Sequence, residues 1–204
     1  MITKKLFRNK RGFTLVELMV AIAISSIVFG AIYAVFASVN RTCTNNEVTA
    51  DVMQHMRTSI DFMEQDIRMA GLDPFDSSGA GIELWDTDKL RFTADRNRDG
   101  TINTADLSDG IQEMDLERIT YEWDSANRRL RQCLSEGTTD DWDTVAENVT
   151  AFQFDYFKAD GGVAAALSEI RTVQISMTIE QPAGLSGIVD RTLTKQILCR
   201  NLSF

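Results

Sequence analysis

The stretch Arg11 to Val39 reads RGFTLVELMVAIAISSIVFGAIYAVFASV, and from Phe13 onward its only charged residue is Glu17. A helix rises by about 1.5 Å per residue, so this run would form roughly 40 Å of helix. The hydrocarbon core of a bilayer is about 30 Å thick. The stretch therefore predicts a helix that is long enough to span a membrane.

Glu17 lies inside this predicted span, where a carboxylate is costly unless it is protonated or paired. The apolar run itself contains no cation. Cleavage between Gly12 and Phe13 would create an α-amino group four residues before Glu17. That amine could reach the Glu17 of a neighbouring helix that is shifted by about one turn. Such an ion pair would set the register of helices in a filament.

The residues KRGFTLVEL, Lys10 to Leu18, closely resemble the leader and cleavage site of type IV prepilins. The resemblance implies that an inner-membrane prepilin peptidase cuts after Gly12 and methylates the new N-terminal Phe13. It also implies that Glu17, the fifth residue of the mature chain, directs assembly. Residues 1–12 would then be a cleaved leader.

A plain signal anchor and an ordinary secretory signal peptide are the alternatives. Ala21-Ile22-Ala23 fits a small-x-small cleavage site after a basic segment. However, the apolar run continues far beyond Ala23, and a cut there would leave an apolar tail on the mature protein. The sequence therefore favours the prepilin interpretation.

The chain has 204 residues, which suits one domain plus a helical spine, and its formal net charge is −9. Loss of residues 1–12 would leave 16 Lys and Arg against 30 Asp and Glu, a net charge of −14. So acidic a surface repels nucleic acid, and no nucleic-acid partner is expected. Basic residues before the span favour a cytoplasmic N-terminus and an exported remainder. They are Lys4, Lys5, Arg8, Lys10 and Arg11.

Beyond the predicted span, apolar residues recur at spacings of three and four, which places them in one stripe along a helix. Gly71, with Pro74 just beyond, predicts the end of this helix. The predicted spine therefore covers residues 13–71, with the span at 13–39 and an amphipathic half at 40–71. The stripe consists of Val48, Val52, Met56, Ile60, Met63, Ile67 and Ala70.

After Pro74 the pattern changes to short alternating runs, which are typical of strands. No helix long enough for a parallel crossover separates them, so antiparallel pairing is expected. The predicted fold class is α+β, with a curved sheet of residues 72–204 on the amphipathic half of the spine. Asp124–Asn127 and Asp160–Gly162 are the expected turns. The expected strands are 89–94, 118–124, 128–134, 151–158, 173–180 and 192–202.

Asp66 to Gly71 reads DIRMAG, which resembles the end of the spine in minor pilins of the PilW type. It is more loosely similar to the J-type minor pseudopilin of type II secretion. Val145–Val149 followed by Phe152–Phe154 also resembles the PilW-like sheet.

The resemblance implies a type IV pilin-like fold and a minor pilin that takes part in pilus assembly or initiation. Such a protein would cross the inner membrane once, hold its head in the periplasm and then enter the extracellular fibre. The implied partners are the prepilin peptidase, the inner-membrane assembly platform, the major pilin and other minor pilins.

Asp95 to Asp106 reads DRNRDGTINTAD and matches the calcium-loop pattern D-x-N-x-D-G-x-I-N-x-x-D. Calcium takes six to eight oxygen ligands from a chain that wraps around it, and Gly100 permits the sharp bend. The final Asp, where EF-hands usually have Glu, resembles a dockerin-type loop. The flanking residues alternate as a strand, so a lone loop is expected, and an acidic turn that binds nothing is the alternative. The predicted ligands are Asp95, Asn97, Asp99, the Thr101 carbonyl, Asn103 and Asp106.

Three cysteines in an oxidising compartment suggest one disulfide and one unpaired thiol. Many pilins tie their C-terminal part with a disulfide, and the resemblance therefore implies a bond between Cys133 and Cys199. Cys43 would remain at the membrane end of the spine. Buried or unpaired thiols are the alternative.

The sequence predicts no enzyme, because it contains no nucleophile elbow, phosphate loop or paired metal-ligand motif. His55, the only histidine, is interpreted as a solvated helix residue. The basic residues Arg128, Arg129 and Arg131 are interpreted as protection of an edge strand. Three functions compete: a pilus assembly subunit, a J-type pseudopilin of type II secretion, and a calcium-dependent adhesive subunit at a pilus tip.

Overall fold

The computed structural model describes residues 12–102, 117–134, 142–184 and 187–202. Within these residues one long helix is followed by strands that all pair in the antiparallel sense. This order confirms the α+β class and the type IV pilin-like fold. The chain divides into two compact units, one up to Thr44 and one from Asn45 onward. The expected division at residue 71 stays a prediction.

Helix α1 spans Leu15–Met69 and contributes to both units. From Val52 onward its apolar stripe is completely buried in the head, as the spacing predicts. Full burial of a large apolar side chain stabilises a protein by about 1.5–3 kcal/mol. The buried members of the stripe are Val52, Met56, Ile60, Met63, Ile67 and Ala70.

The helix ends where Gly71 adopts a left-handed conformation, with φ of +77°. The Gly71 N–H donates to the carbonyl of Thr93 at 3.0 Å. The side-chain amide of Asn201 donates to the carbonyl of Arg68, one of the last helical residues, also at 3.0 Å. A Cβ on Gly71 would come within 2.7 Å of Leu202 Cδ2. The predicted helix end is confirmed, and the C-terminal segment of the chain fixes it.

The described residues of the head beyond α1 form two antiparallel sheets. The first has the order β1-β2-β3-β4-β5 and the second the order β6-β7-β8. The first consists of β1 (Ile82–Trp85), β2 (Lys89–Thr93), β3 (Arg118–Asp124), β4 (Arg129–Cys133) and β5 (Asp143–Glu147). The second consists of β6 (Val149–Phe157), β7 (Thr172–Pro182) and β8 (Ile188–Leu198), with a short 3-10 helix, Leu167–Glu169, before β7.

The expected single curved sheet is therefore wrong in detail, although all six expected strands are present. Asn148, the one residue between β5 and β6, has φ of +58° and redirects the chain from the first sheet to the second. Strands β1 and β5 were not expected, because four or five residues of mixed polarity give little alternation to read. Strand β8 also begins earlier, at Ile188, because it pairs with β7 along its whole length.

The core lies between the buried stripe of α1 and the inner faces of both sheets. One continuous cluster joins residues of α1 to residues of both sheets. The sheets also exchange backbone hydrogen bonds, from Phe154 N to Thr87 O at 2.8 Å and from Val149 N to Arg128 O at 2.9 Å. The sheet residues that fill the core include Leu90, Phe92, Ile119, Tyr121, Leu130, Phe154, Val173, Ile175, Met177 and Ile197.

The basic residues of β4 do not protect an edge. Strand β4 pairs with β3 on one side and β5 on the other, so that interpretation is wrong. Arg131 lies 3.7 Å from Glu122 and 3.5 Å from Asp124, while Arg129 lies 3.8 Å from Glu147. These side chains form cross-strand ion pairs, and each exposed pair of this kind contributes about 0–1 kcal/mol.

Candidate functional site

The N-terminal part of α1 is apolar and exposed on every side. All side chains from residue 12 to residue 36 are exposed, and Phe13 is 90 % exposed. The helix is long and apolar enough to cross a membrane. A helix that is apolar all round requires an apolar surrounding, which lipid or other apolar helices would supply.

The predicted cleavage site lies just before the first helical residue. Gly12 and Phe13 have no helical hydrogen bonding, and a Cβ on Gly12 would meet no other atom within 4 Å. The described chain therefore gives Gly12 no packing reason to be glycine. A requirement for glycine at this position would come from a molecule that acts on the chain, as the resemblance to prepilins implies.

Thr14 and Glu17 form a capping box at the start of α1. The Thr14 N–H donates to Glu17 Oε2 at 2.9 Å, and the Thr14 hydroxyl donates to the same oxygen at 3.0 Å. The Glu17 N–H in turn lies 3.2 Å from Thr14 Oγ1. A reciprocal pair of this kind satisfies N–H groups that the first turn of a helix leaves without partners.

This capping box holds the Glu17 carboxylate next to the predicted cleavage site. The positive end of the helix dipole also favours a carboxylate in the first turn. The contact was not predicted, although a Thr followed by a Glu three residues later, before an apolar run, is its known signature. Thr14 is therefore a further residue of the predicted assembly site, as the partner that orients Glu17.

The first half of the predicted calcium loop wraps around Asp95, which is completely buried. Its carboxylate accepts hydrogen bonds from the N–H groups of Asp99 and Gly100, both at 3.1 Å. Gly100 has φ of +82°, which accounts for the glycine at the bend. The Asp95 N–H donates to Leu72 O at 2.8 Å and ties the loop to the end of α1.

Asn97 and Asp99 lie on the same loop. Asn97 Oδ1 accepts the Asp99 N–H at 2.9 Å. Asp99 Oδ1 accepts the hydroxyl of Thr101 at 2.6 Å and its N–H at 2.8 Å. These hydrogen bonds from Thr101 lower the pKa of the Asp99 carboxyl, so the carboxylate is ionised at neutral pH.

This half of the loop supplies some of the oxygen ligands that calcium requires. Asp95, Asn97, Asp99 and the Thr101 carbonyl offer oxygen donors, whereas calcium takes six to eight. The other predicted ligands, Asn103 and Asp106, lie outside the described residues. Among the residues that the structure describes, no three His, Cys, Asp or Glu side chains form a group that could hold a metal ion.

Glu117 supports the start of this loop, and sequence analysis gave no sign of it. Its side chain is completely buried, and Oε1 accepts the N–H groups of Arg96 at 2.8 Å and Asn97 at 3.2 Å. A glutamate 22 residues beyond Asp95 falls outside the calcium-loop pattern. Only the fold brings it back to the loop.

A second buried carboxylate, Asp66, joins α1 to the first sheet. The Tyr121 hydroxyl donates to Asp66 Oδ2 at 2.6 Å, and Gln132 Nε2 donates to the same oxygen at 3.0 Å. Burial raises the pKa of the Asp66 carboxyl. Asp66 opens the DIRMAG segment, and its spacing from Met63 and Ala70 could have shown that it lies on the buried stripe.

No disulfide joins the cysteines, all of which lie among the described residues. Gln132 faces α1 through Asp66, so the alternation along β4 places the neighbouring Cys133 on the opposite face of its sheet. Cys199 belongs to the core cluster, where burial raises the pKa of its thiol to about 12. The expected bond between Cys133 and Cys199 is absent because the two residues lie on different sides of the first sheet.

His55 is exposed on α1, as expected for a solvated helix residue. Its Nε2 atom lies 3.7 Å from a carboxylate oxygen of Asp51, one helical turn earlier. This arrangement gives the histidine a single acidic neighbour on its own helix.

Two family models match the chain, one at its N-terminal region and one over most of the remainder. Residues 7–33 match the prokaryotic N-terminal methylation motif, which covers Gly12, Phe13 and Glu17. Residues 46–198, most of the chain, match the family described as prepilin peptidase-dependent protein B. No curated protein matches the chain. With the exposed apolar helix and the antiparallel head, these matches show that the chain belongs to the prepilin peptidase-dependent protein B family and is a type IV prepilin-like minor pilin.

Proposed function

We propose that the protein is a PilW-like minor pilin that takes part in the initiation and assembly of a type IV pilus. Prepilin peptidase would cut after Gly12 and methylate Phe13. The mature chain would then cross the inner membrane once, with its head in the periplasm, before it enters the fibre. Its partners would be the inner-membrane assembly platform, the major pilin and other minor pilins, and its role would be structural rather than catalytic.

The observation that carries this proposal is the position of Glu17 at the exposed start of α1. Thr14 holds the carboxylate within one turn of the Gly12–Phe13 peptide bond. A carboxylate in apolar surroundings is stabilised by an opposite charge, and cleavage would supply an amine on a neighbouring subunit. Processing would thereby allow polymerisation.

The test compares the wild-type chain with Glu17→Gln in cells that make the other pilus proteins. We expect mass spectrometry to show that both chains begin at methylated Phe13. Only the wild-type chain should enter fibres. Glu47→Gln changes another glutamate of α1, beyond the apolar run, and should leave assembly intact. A mature chain that begins elsewhere, or fibres that incorporate Glu17→Gln at the wild-type level, would contradict the proposal.

A role as the J-type pseudopilin of a type II secretion system is the second candidate, and the looser similarity of the DIRMAG segment to that protein is its support. Deletion separates the two roles. Loss of pili with normal secretion supports the pilus role, whereas loss of secretion with normal pili supports the pseudopilin role.

We also propose that the loop from Asp95 to Asp106 binds calcium and is part of an adhesive surface at the fibre tip. The buried Asp95 carboxylate and the ionised Asp99 support this proposal, because calcium binds carboxylate oxygens. Asp95, Asn97, Asp99, the Thr101 carbonyl, Asn103 and Asp106 would hold the ion. Calcium would supply no reaction there, only a fixed loop conformation.

Titration calorimetry with calcium tests this second proposal. We expect binding by the full-length protein and none by the double variant Asp99→Asn/Asp106→Asn. Asp160→Asn, which changes an aspartate in the loop between β6 and β7, should bind as the wild type does. If the double variant assembles into pili but cells no longer attach to surfaces, the adhesive role is supported. Loss of pili in that variant would favour an assembly role for the loop.

A further inference from the structure

A groove runs along the head between α1 and strand β5. It consists of two adjoining cavities of about 650 and 310 Å³. Thr58 and Ser59 of α1, together with Thr144 and Val145 of β5, line both cavities. All these residues belong to the unit that begins at Asn45.

One wall of the groove is the edge of a sheet. Strand β5 is the last in the first sheet, and among the described residues it pairs with β4 alone. Val145 falls in the bulge of that pairing, and its carbonyl accepts the Ser59 hydroxyl at 2.9 Å. This contact brings α1 within hydrogen-bonding distance of β5 at Val145, where the two cavities adjoin. An edge strand offers backbone N–H and C=O groups to which an added strand can bind.

The groove has an apolar floor. Val52, Ala146 and Ile179 lie at its base and are at most 8 % exposed. Phe62 of α1 lines the smaller cavity, and its side chain is 45 % exposed although it lies in the unit that begins at Asn45. A partly exposed aromatic ring beside a cavity is a typical anchor point for a partner's apolar side chain.

The rim of the groove is acidic. Asp51 and Glu147 line the larger cavity and Asp143 lines the smaller one, while the part of the chain that the structure describes contributes no Lys or Arg to either lining. Glu147 has one basic neighbour outside the groove, Arg129 at 3.8 Å. Charges across an interface are usually complementary, so this rim fits a cationic side chain.

We infer that the groove binds an extended segment of a different pilin-like subunit, which pairs with the outer edge of β5. An apolar side chain of that segment packs beside Phe62, and a Lys or Arg lies between Asp51 and Glu147. A second copy of this chain fits poorly, since the mature protein carries a net charge of −14 and would be repelled. The inference rests on the proposed assembly role and adds the contact that selects a partner.

In-cell photo-crosslinking tests this inference on the full-length chain, expressed together with the other pilin-like proteins of the same cell. A photoreactive amino acid replaces Thr144 in the groove. In a matched control it replaces Thr194, whose side chain bonds to Ser176 on the second sheet, away from the groove. We expect Thr144 to crosslink to one other pilin-like protein, through a peptide that mass spectrometry shows to contain Lys or Arg. The Thr194 control should give no such product.

Charge reversal provides the second readout. Asp51→Lys/Glu147→Lys should abolish the crosslink from Thr144, and Phe62→Ala should weaken it. If the double variant does not fold, Gln54→Lys, at an exposed position of the same wall, makes the same test.

Several outcomes would overturn the inference: a crosslink to a second copy, a crosslinked peptide without Lys or Arg, or a yield unaffected by charge reversal. Processing and pili are scored in the same cells. Normal pili without the Thr144 crosslink would overturn the groove inference alone, whereas a mature chain that does not begin at Phe13 would overturn the proposed function.

Discussion

The hydroxyl of Tyr121 donates a hydrogen bond of 2.6 Å to the carboxylate of Asp66, which is only 7 % exposed. This bond connects the last part of α1 to a central strand of the first sheet. Gln132 donates to the same carboxylate at 3.0 Å. The carboxyl group therefore has two neutral donors in a buried position, and its protonation is coupled to folding.

Asp66→Asn should reduce the pH dependence of stability. Because burial raises the pKa of Asp66 above its ordinary value of 3.8, the folded protein binds this proton more tightly than the unfolded chain. The stabilisation is complete below pH 3.8 and is lost as pH rises through the raised pKa. Denaturant unfolding of the full-length protein between pH 3 and 8 should show wild type losing stability relative to the variant as pH rises.

Tyr121→Phe removes one donor from the same carboxylate. A buried acceptor that loses its partner costs about 1–3 kcal/mol. We expect a larger loss at pH 8 than at pH 4, because the ionised carboxylate needs the donor more. Equal losses at both pH values would show that Asp66 does not titrate in this range.

Gly71→Ala should destabilise the head more than Gly79→Ala. Both glycines have positive φ, +77° and +68°, which costs an alanine about 1–2 kcal/mol. A Cβ at Gly71 would also lie 2.7 Å from Leu202 Cδ2 and 3.0 Å from Asn201 O, whereas one at Gly79 meets nothing within 4 Å. The difference between their unfolding free energies measures the packing of the C-terminal segment. Similar losses would contradict that contact.

Thr14→Val should loosen the first turn of α1. The substitution removes the hydroxyl of the capping box, which typically costs about 1 kcal/mol, and amide hydrogen exchange of the first turn should accelerate roughly five-fold. Thr42→Val is the matched control, because the Thr42 hydroxyl bonds only to a preceding carbonyl of the same helix, Ser38 O. When exchange is measured on the full-length chain in detergent, the Thr14→Val variant should exchange faster than the wild type, and the Thr42→Val variant should not.

Thiol labelling should distinguish the three cysteines. Cys43 is exposed, whereas Cys133 and Cys199 are buried, and the raised pKa of Cys199 further slows its reaction. We expect a maleimide to label Cys43 in the native protein and the other two only after unfolding. A mass spectrum that shows Cys133 and Cys199 joined would contradict the structure.

Calcium should raise the melting temperature if the proposed loop binds it. Calcium at 100 times its dissociation constant stabilises the folded state by about 2.7 kcal/mol, which corresponds to roughly 5–10 °C for a protein of this size. Addition of a chelator should reverse the shift. If chelation leaves the melting temperature unchanged, the loop holds no structural calcium ion. Asp160→Asn is the control and should show the full calcium-dependent shift.

The periodic parts of this fold could be predicted from sequence because their patterns are long. The predicted members from Val52 to Ala70 cover five turns and are all buried, whereas Val48, the first predicted member, is partly buried. Gly71 also predicted the end of the helix, because helices commonly end at a glycine with positive φ, and Gly71 has φ of +77°. Strand β5 has neither a long pattern nor a local signal, because its five residues alternate poorly. Its position in the sheet follows from its pairing with β4.

Contacts between residues far apart in sequence could not be predicted, and they limited how much of the candidate sites the sequence could reveal. Glu17 was found from a motif, whereas the Glu117 support of the loop joins residues about 20 positions apart. Asp66 and Tyr121 are separated by 55 positions, and nothing local marks them as partners. The Cys133 and Cys199 expectation failed for the same reason, because the face that each residue occupies depends on sheet pairing.

Asn148 alone separates β5 from β6, so the two sheets share what is nearly one continuous strand. A force on either sheet is therefore transmitted to the other through this one residue. Because both sheets also share one core with α1, we expect the head to unfold in one step when single molecules are stretched.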